Sequence, residues 1–167
     1  MDQTTNKLDV HAGIVALDHV AIAVNDLEAS VRTYTNALGF VEVERRTTNG
    51  KFTGMVSAVL RSGEATVVLV QGLQPESQVS RFVSQYGEGV QHIAFRVEDI
   101  DRAIANADRS GLATETGVLA ESGIRQTFLK REANTGTRIE LIELRGGRFS
   151  DASVQKLFNV LEEQDVY

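Results

Sequence analysis

The stretch LDHVAIAVNDLEASV, Leu17 to Val31, aligns without a gap on VQHIAFRVEDIDRAI, Val90 to Ile104. The alignment pairs His19 with His92, Ala21 with Ala94, Val24 with Val97 and Asp26 with Asp99, each 73 residues apart. A chain built from two such copies is constrained to fold as two similar units side by side. Each copy reads as a strand running into a helix, with an aspartate at the N-cap position and apolar residues at helical spacing behind it. The first helix carries Leu27, Val31, Tyr34 and Leu38 and is expected to stop at Gly39; the second carries Ile100, Ala103, Ile104 and Ala107 and is expected to stop at Gly111.

β-rich segments follow each helix. In the first copy these are FVEVERR and GMVSAVLRSGEATVVLV, with a hairpin turn expected at Ser62-Gly63. In the second, GIRQTFLKREANTGTRIELIEL turns near Asn134 to Gly136. Each half is thus strand-helix-strand-strand-strand. Between them, Val79, Phe82, Val83 and Tyr86 stand at i, i+3, i+4 and i+7, which predicts a connecting helix. Neither half could bury both faces of a four-stranded sheet alone, whereas two together can. The expected fold is α+β: two βαβββ modules in a cupped, partly open mixed sheet, with a C-terminal helix carrying Val154, Leu157, Phe158 and Leu161 on one face. The expected organisation is a flexible polar arm over 1–14, which includes His11, and a single domain over 15–167. Within that domain lie module one (15–75), the connecting helix (76–87), module two (88–146) and the C-terminal helix (150–164).

Composition narrows the chemistry. Cysteine is absent, so a metal must be held by His, Asp or Glu, and there are three histidines to choose from. A net charge of -6, with Arg45-Arg46 as the nearest approach to a basic cluster, argues against nucleic acid as a partner. No apolar run approaches the roughly 18 residues of a membrane span, and the start MDQTTNKLD lacks the apolar stretch of a secretory signal. A cytoplasmic location without membrane attachment is expected.

Strand parity sets the direction of the histidines. Ile93, Phe95 and Val97 share one face and His92, Ala94 and Arg96 the other. His19 shares its face with Leu17, Ala21 and Ala23, against Val20, Ile22 and Val24. The bulky faces should meet the helices, so both histidines should face a cup lined by small or polar groups. Two imidazoles holding a divalent cation call for a carboxylate, and the last strand offers Glu140 and Glu143 with opposite parity. Glu140, between Ile139 and Leu141, suits the heart of the strand; Glu143 suits a solvated edge.

DHVAIAV, GVQHIAF and TGTRIELIE resemble the metal-ligand strands of the vicinal oxygen chelate superfamily. That group includes glyoxalases, methylmalonyl-CoA epimerases, extradiol dioxygenases, hydroxyphenylpyruvate dioxygenases and bleomycin-resistance proteins. The resemblance covers about Leu17 to the C-terminus and implies the metal ligands His19, His92 and Glu140. Glyoxalases and epimerases add a fourth ligand from the last strand of the first module, where this chain has Val68. Epimerases also place a catalytic Glu just before a glycine, where this chain has Phe52-Thr53-Gly54. Two His and one carboxylate are the facial-triad pattern, which leaves positions for a bidentate substrate and O₂.

GEGVQHIAF is most similar to the second-histidine motif of hydroxyphenylpyruvate dioxygenases, including Gln91. The tail GGRFSDASVQKLFNVLEEQ is similar in layout to their active-site-covering helix, and Gln126 matches a substrate-binding glutamine. The resemblance therefore implies an Fe(II)-dependent dioxygenase acting on a small α-keto acid or other vicinal dioxygen chelator, with Gln91 and Gln126 in catalytic roles. Co, Ni, Mn or Zn are the alternative metals. A metal-dependent epimerase, isomerase or lyase is the second reading and a small-molecule-binding resistance protein the third. A homodimer fits the habit of single-domain members.

Overall fold

The computed structural model of the chain describes residues 13–164; the arm residues 1–12, with His11, lie outside that range. Twelve elements follow in order: β1 (Ile14–Ala23), α1 (Leu27–Leu38), β2 (Val41–Asn49), β3 (Gly54–Ser62), β4 (Ala65–Gly72), α2 (Gln78–Tyr86), β5 (Gly89–Val97), α3 (Ile100–Arg109), β6 (Leu119–Glu121), β7 (Ile124–Phe128), β8 (Arg138–Leu144) and α4 (Asp151–Glu163). The first strand begins at Ile14, one residue inside the expected arm. The first-module hairpin turns at Gly63-Glu64, one residue later than expected, because Gly63 supplies the positive φ (56°) and Ser62 remains paired with Ala65.

The strands form one eight-stranded sheet in the order β2-β3-β4-β1-β5-β8-β7-β6. Reading outward from the centre, β1-β4-β3-β2 mirrors β5-β8-β7-β6, so the two βαβββ modules are repeats in space as in sequence. They join through antiparallel β1 and β5, where Val20 pairs with Ile93, its own repeat equivalent. The local two-fold axis therefore passes through this pair, with His19 opposite Ala94 on one side and Ala21 opposite His92 on the other.

Each helix starts where its aspartate allows. Asp26 accepts the Ala29 N–H and Asp99 the Arg102 N–H, satisfying donors that a helix start leaves without intrahelical partners. Gly39 closes α1 in the left-handed conformation. Behind the helices lie two equivalent cores. Val24, Leu27 and Val31 pack on Ala58, Leu60 and Leu69 in module one; Val97, Ile100 and Ala103 pack on Leu129 and Leu141 in module two. Each fully buried Leu, Ile or Val contributes about 1.5–3 kcal/mol. Leu38, expected on the buried face of α1, is instead exposed at the helix's last position.

The opposite, concave face is covered by the other two helices. From α2, Val79 and Phe82 fill the module-one end against Ala23 and Val70. Helix α4 spans the opening between the two edge strands. Gln155 Nε2 donates to the Asn49 carbonyl of β2 (2.6 Å) and Lys156 Nζ to the Ala120 carbonyl of β6 (2.9 Å). Its N-terminus is a capping box between Ser150 and Ser153. Among the described residues no helix is long and apolar enough to cross a membrane.

Candidate metal centre

Strand register carries His19, His92 and Glu140 onto the concave face. Ala94 lies between His19 of β1 and Glu140 of β8, paired with both, so all three side chains project from one surface. His19 Nε2 lies 3.2 Å from His92 Nε2, and Glu140 Oε2 lies 3.6 Å from His19 Nε2 and 3.4 Å from His92 Nε2. The three residues form a cluster whose ligand atoms lie within 4.8 Å of one another. Glu143 takes the other face, where it accepts the Ile100 N–H at the start of α3 (3.0 Å) and pairs with Arg125 (3.1 Å) and Arg145. It is buried rather than edge-solvated, because its carboxylate ties α3 to the sheet.

The donor set fits a divalent cation on physical grounds. Asp18 Oδ1 lies 2.9 Å from His19 Nδ1 and Gln91 Oε1 hydrogen-bonds His92 Nδ1; both oxygens accept, so each Nδ1 carries the proton. When both rings are neutral, their Nε2 lone pairs face each other and a carboxylate oxygen, a set of donor atoms that a cation would hold together. Donors about 2.0–2.2 Å from a common centre stand about 3–3.6 Å apart, which is the spacing found. Glu140 is 1% exposed, and its second oxygen has no hydrogen-bond partner.

The two imidazoles differ electrostatically. Burial disfavours charge on both. At His19 the Asp18 hydrogen bond and the Glu140 charge outweigh burial, and its pKa lies above the ordinary histidine value. At His92 burial prevails despite Glu140, with His19 and Arg138 adding to it, so its pKa lies below that value. Asp18, in turn, stays below the usual carboxylate range: burial opposes its charge, and His19, Arg96 and Arg61 more than offset the opposition.

The cup wall departs from the small, polar lining expected. Phe128 stands edge-on to His92 (ring centroids 5.0 Å apart) and Phe149 edge-on to His19 (5.9 Å). Phe128 pairs with Glu140 across β7 and β8, so its parity was readable from the strand. Phe149 sits in the link before α4, where no periodicity applies. Gln126 also faces the cup, two residues from Phe128. Its Nε2 donates to the Ser153 carbonyl of α4 (3.4 Å), and its Oε1 is buried without a protein partner. Above these residues α4 packs Leu157 and Leu161 against Phe128. Thus the five residues singled out from sequence lie on one side of the sheet: His19, His92 and Glu140 meet, Gln91 touches His92, and Gln126 lies beneath α4.

Comparison with known proteins agrees with this architecture. The glyoxalase/bleomycin resistance protein/dioxygenase superfamily matches residues 16–128. A 4-hydroxyphenylpyruvate dioxygenase of Legionella pneumophila (strain Corby) is 30% identical over 114 residues, 65% of this chain and 33% of that protein. The chain thus spans about a third of the length of that relative. A variant of 4-hydroxymandelate synthase from Streptomyces coelicolor superposes with a TM-score of 0.78 at 25% identity, over 91% of this chain and 55% of that one. Methylmalonyl-CoA epimerase from Mycobacterium tuberculosis superposes with a TM-score of 0.65 at 28% identity, over 79% and 89%. With most of its length matched, this chain belongs to the glyoxalase/bleomycin resistance protein/dioxygenase superfamily.

Proposed function

We propose that this chain binds a divalent metal, Fe(II) first among the candidates, through His19, His92 and Glu140, and that it is a dioxygenase acting on a small α-keto acid. The observation that carries the reading is the pairing of this three-donor cluster with an apolar residue at the matching fourth position. Val68 pairs with Ala21 as Glu140 pairs with Ala94. A three-donor site leaves room for a chelating substrate and O₂ together, where a four-donor site is more restrictive. The relatives named 4-hydroxyphenylpyruvate dioxygenase and 4-hydroxymandelate synthase support the same direction.

Fe(II) bound there would supply a Lewis acid and the electrons with which O₂ is activated. The protein's own contributions are positional. Phe128 and Phe149 wall the donor cluster, and the buried Gln126 amide oxygen, without a protein partner, is an acceptor for any hydrogen-bond donor a substrate carries. Helix α4 keeps bulk water from the cup. In this reading the partners are a small substrate and O₂, in the cytoplasm, with the chain acting as a homodimer.

Metal analysis of anaerobically purified protein, followed by oxygen-electrode assays with aliphatic and aryl α-keto acids, tests the proposal. Oxygen uptake matched by CO₂ release is the expected result. A metal-loaded protein that consumes no oxygen with any α-keto acid overturns it.

The epimerase-like reading has one observation in its favour, the coverage of nearly the whole epimerase chain. Against it, Thr53 stands where the catalytic carboxylate would precede Gly54. The carboxylate that does reach Thr53, from Glu162, is engaged by Thr53 N and Oγ1 (both 2.6 Å) and by Phe52 N (3.2 Å). Exchange of the α-proton of an acyl thioester in D₂O is the assay for that chemistry.

A further inference from the structure

The histidines of the cluster are each preceded by a residue that strand geometry should turn away from them. Regular alternation would send Asp18 and Gln91 to the helix-facing side of the sheet. Neither goes there, because β1 and β5 carry a bulge at each of these positions. Leu17 pairs with Phe95 and His19 with Ala94, which leaves Asp18 as the extra residue on β1; Ala21 pairs with His92 and Ile22 with Val90, which leaves Gln91 as the extra residue on β5. The two bulges are related by the same local two-fold axis that relates the histidines. A bulge sets two residues against one and re-aims the side chains it carries. Here it brings the Asp18 carboxylate to His19 Nδ1 (2.9 Å) and the Gln91 amide oxygen to His92 Nδ1. Both side chains are largely buried, and Asp18 Oδ2 is approached by Arg96 Nε (3.6 Å).

We infer that Asp18 and Gln91 are the positioning residues of the metal centre, held in place by paired bulges, and that they make its two histidines unequal donors. Each fixes the tautomer that leaves Nε2 unprotonated and locks the ring plane, as a hydrogen-bonded outer partner does for a metal-ligating histidine. Asp18 is charged and Gln91 is neutral, so His19 is the more electron-rich ligand. The Asp18 charge also adds to that of Glu140 in offsetting a divalent cation. Gln91 therefore acts through His92.

The inference rests on the ligand set proposed above, and a Co(II) titration separates the two. Co(II) affinity is measured by competition with a chromophoric chelator, and the visible d–d spectrum of the loaded protein reports ligand geometry. Asp18→Ala should weaken Co(II) binding about 10–100-fold, and Gln91→Leu should weaken it toward the lower end of that range. Both should shift the d–d bands. Asp18→Asn keeps the shape and an acceptor but removes the charge; it should weaken binding less than Asp18→Ala, and it keeps the test decisive if the alanine variant fails to fold. Gln91→Glu, which supplies the missing charge, should tighten binding. Folded Asp18 and Gln91 variants with the parent's affinity and spectrum overturn the positioning roles. His92→Ala is the reference: parent-like Co(II) binding there removes the ligand set itself, whereas loss there with unaffected Asp18 and Gln91 variants removes the positioning roles alone.

Discussion

Val68 occupies in module one the place that Glu140 occupies in module two: Val68 pairs with Ala21 across parallel β4 and β1, and Glu140 pairs with Ala94 across parallel β8 and β5. Two-fold symmetry would bring a carboxylate at Val68 toward the donor cluster from the opposite side. Val68→Glu should therefore add a fourth protein donor and raise metal retention, while oxygen-dependent turnover collapses. The matched control is Val67→Glu, one residue away on the opposite face, where Val67 packs on the α1 core. It should cost a few kcal/mol by burying a charge and leave metal affinity unimproved. Metal retention after gel filtration and oxygen uptake read both variants; undiminished uptake in metal-loaded Val68→Glu counts against the three-donor reading.

Removing a donor has the opposite signature. His19→Ala, His92→Ala and Glu140→Gln should each lose metal on dialysis and abolish turnover. His92 packs on Phe128 and His19 on Phe149, but removing one of three clustered acceptors also relieves their mutual repulsion in the metal-free protein, whose thermal stability should therefore fall little. Elemental analysis with a thermal melt of the apo-protein checks this. Retention of a full equivalent of metal by any of the three removes that residue from the ligand set.

Glu143 gives a pH dependence with a defined sign. Burial opposes its ionisation, but the Ile100 N–H, Arg145 and Arg125 outweigh burial and hold its pKa below the usual glutamate value. A carboxylate whose folded pKa is lowered stabilises the fold above its unfolded pKa, near 4.5, and that stabilisation is lost as pH falls through the lower folded value. Glu143→Gln should cost about 2 kcal/mol at neutral pH, as for a hydrogen bond to a charged group, and flatten the acid limb of stability. Denaturant titrations at pH 7 and pH 3 measure both effects; an equal loss at the two values contradicts the assignment.

Helix α4 is seated directly on Gly50. A Cβ there would stand 2.6 Å from Phe158 and 2.5 Å from a Glu162 oxygen; the glutamate can swing aside, but the Phe158 ring is fully buried, so a side chain at this position must displace that ring or the helix that carries it. Gly50→Val should cost about 1–3 kcal/mol by overpacking and raise hydrogen exchange in α4 above that in the sheet. Exchange read by mass spectrometry decides this. Unchanged α4 protection shows that the helix is held chiefly by its other anchors, such as Arg46 Nε to Asp151 Oδ1 (2.9 Å) and the Glu162 contacts to Thr53.

The repeat at Leu17 and Val90, with strand alternation, was enough to determine the two-module α+β fold and the cup-facing histidines, and to show that only one of Glu140 and Glu143 could share their face. Period-two alternation and helix capping are local rules, and a duplicated pattern applies them twice. What the tertiary structure decided lies where those rules stop or break. Asp18 and Gln91 violate alternation because of bulges, which come from cross-strand register and leave no mark in a single strand's pattern. Phe149 reaches His19 from a non-periodic link, so its role depends on where α4 docks. The apolar position at Val68 could be read from sequence as a departure from a motif. Its equivalence to Glu140 became a physical relationship only through register, because inter-strand hydrogen bonds, not sequence spacing, determine which side chains share a row.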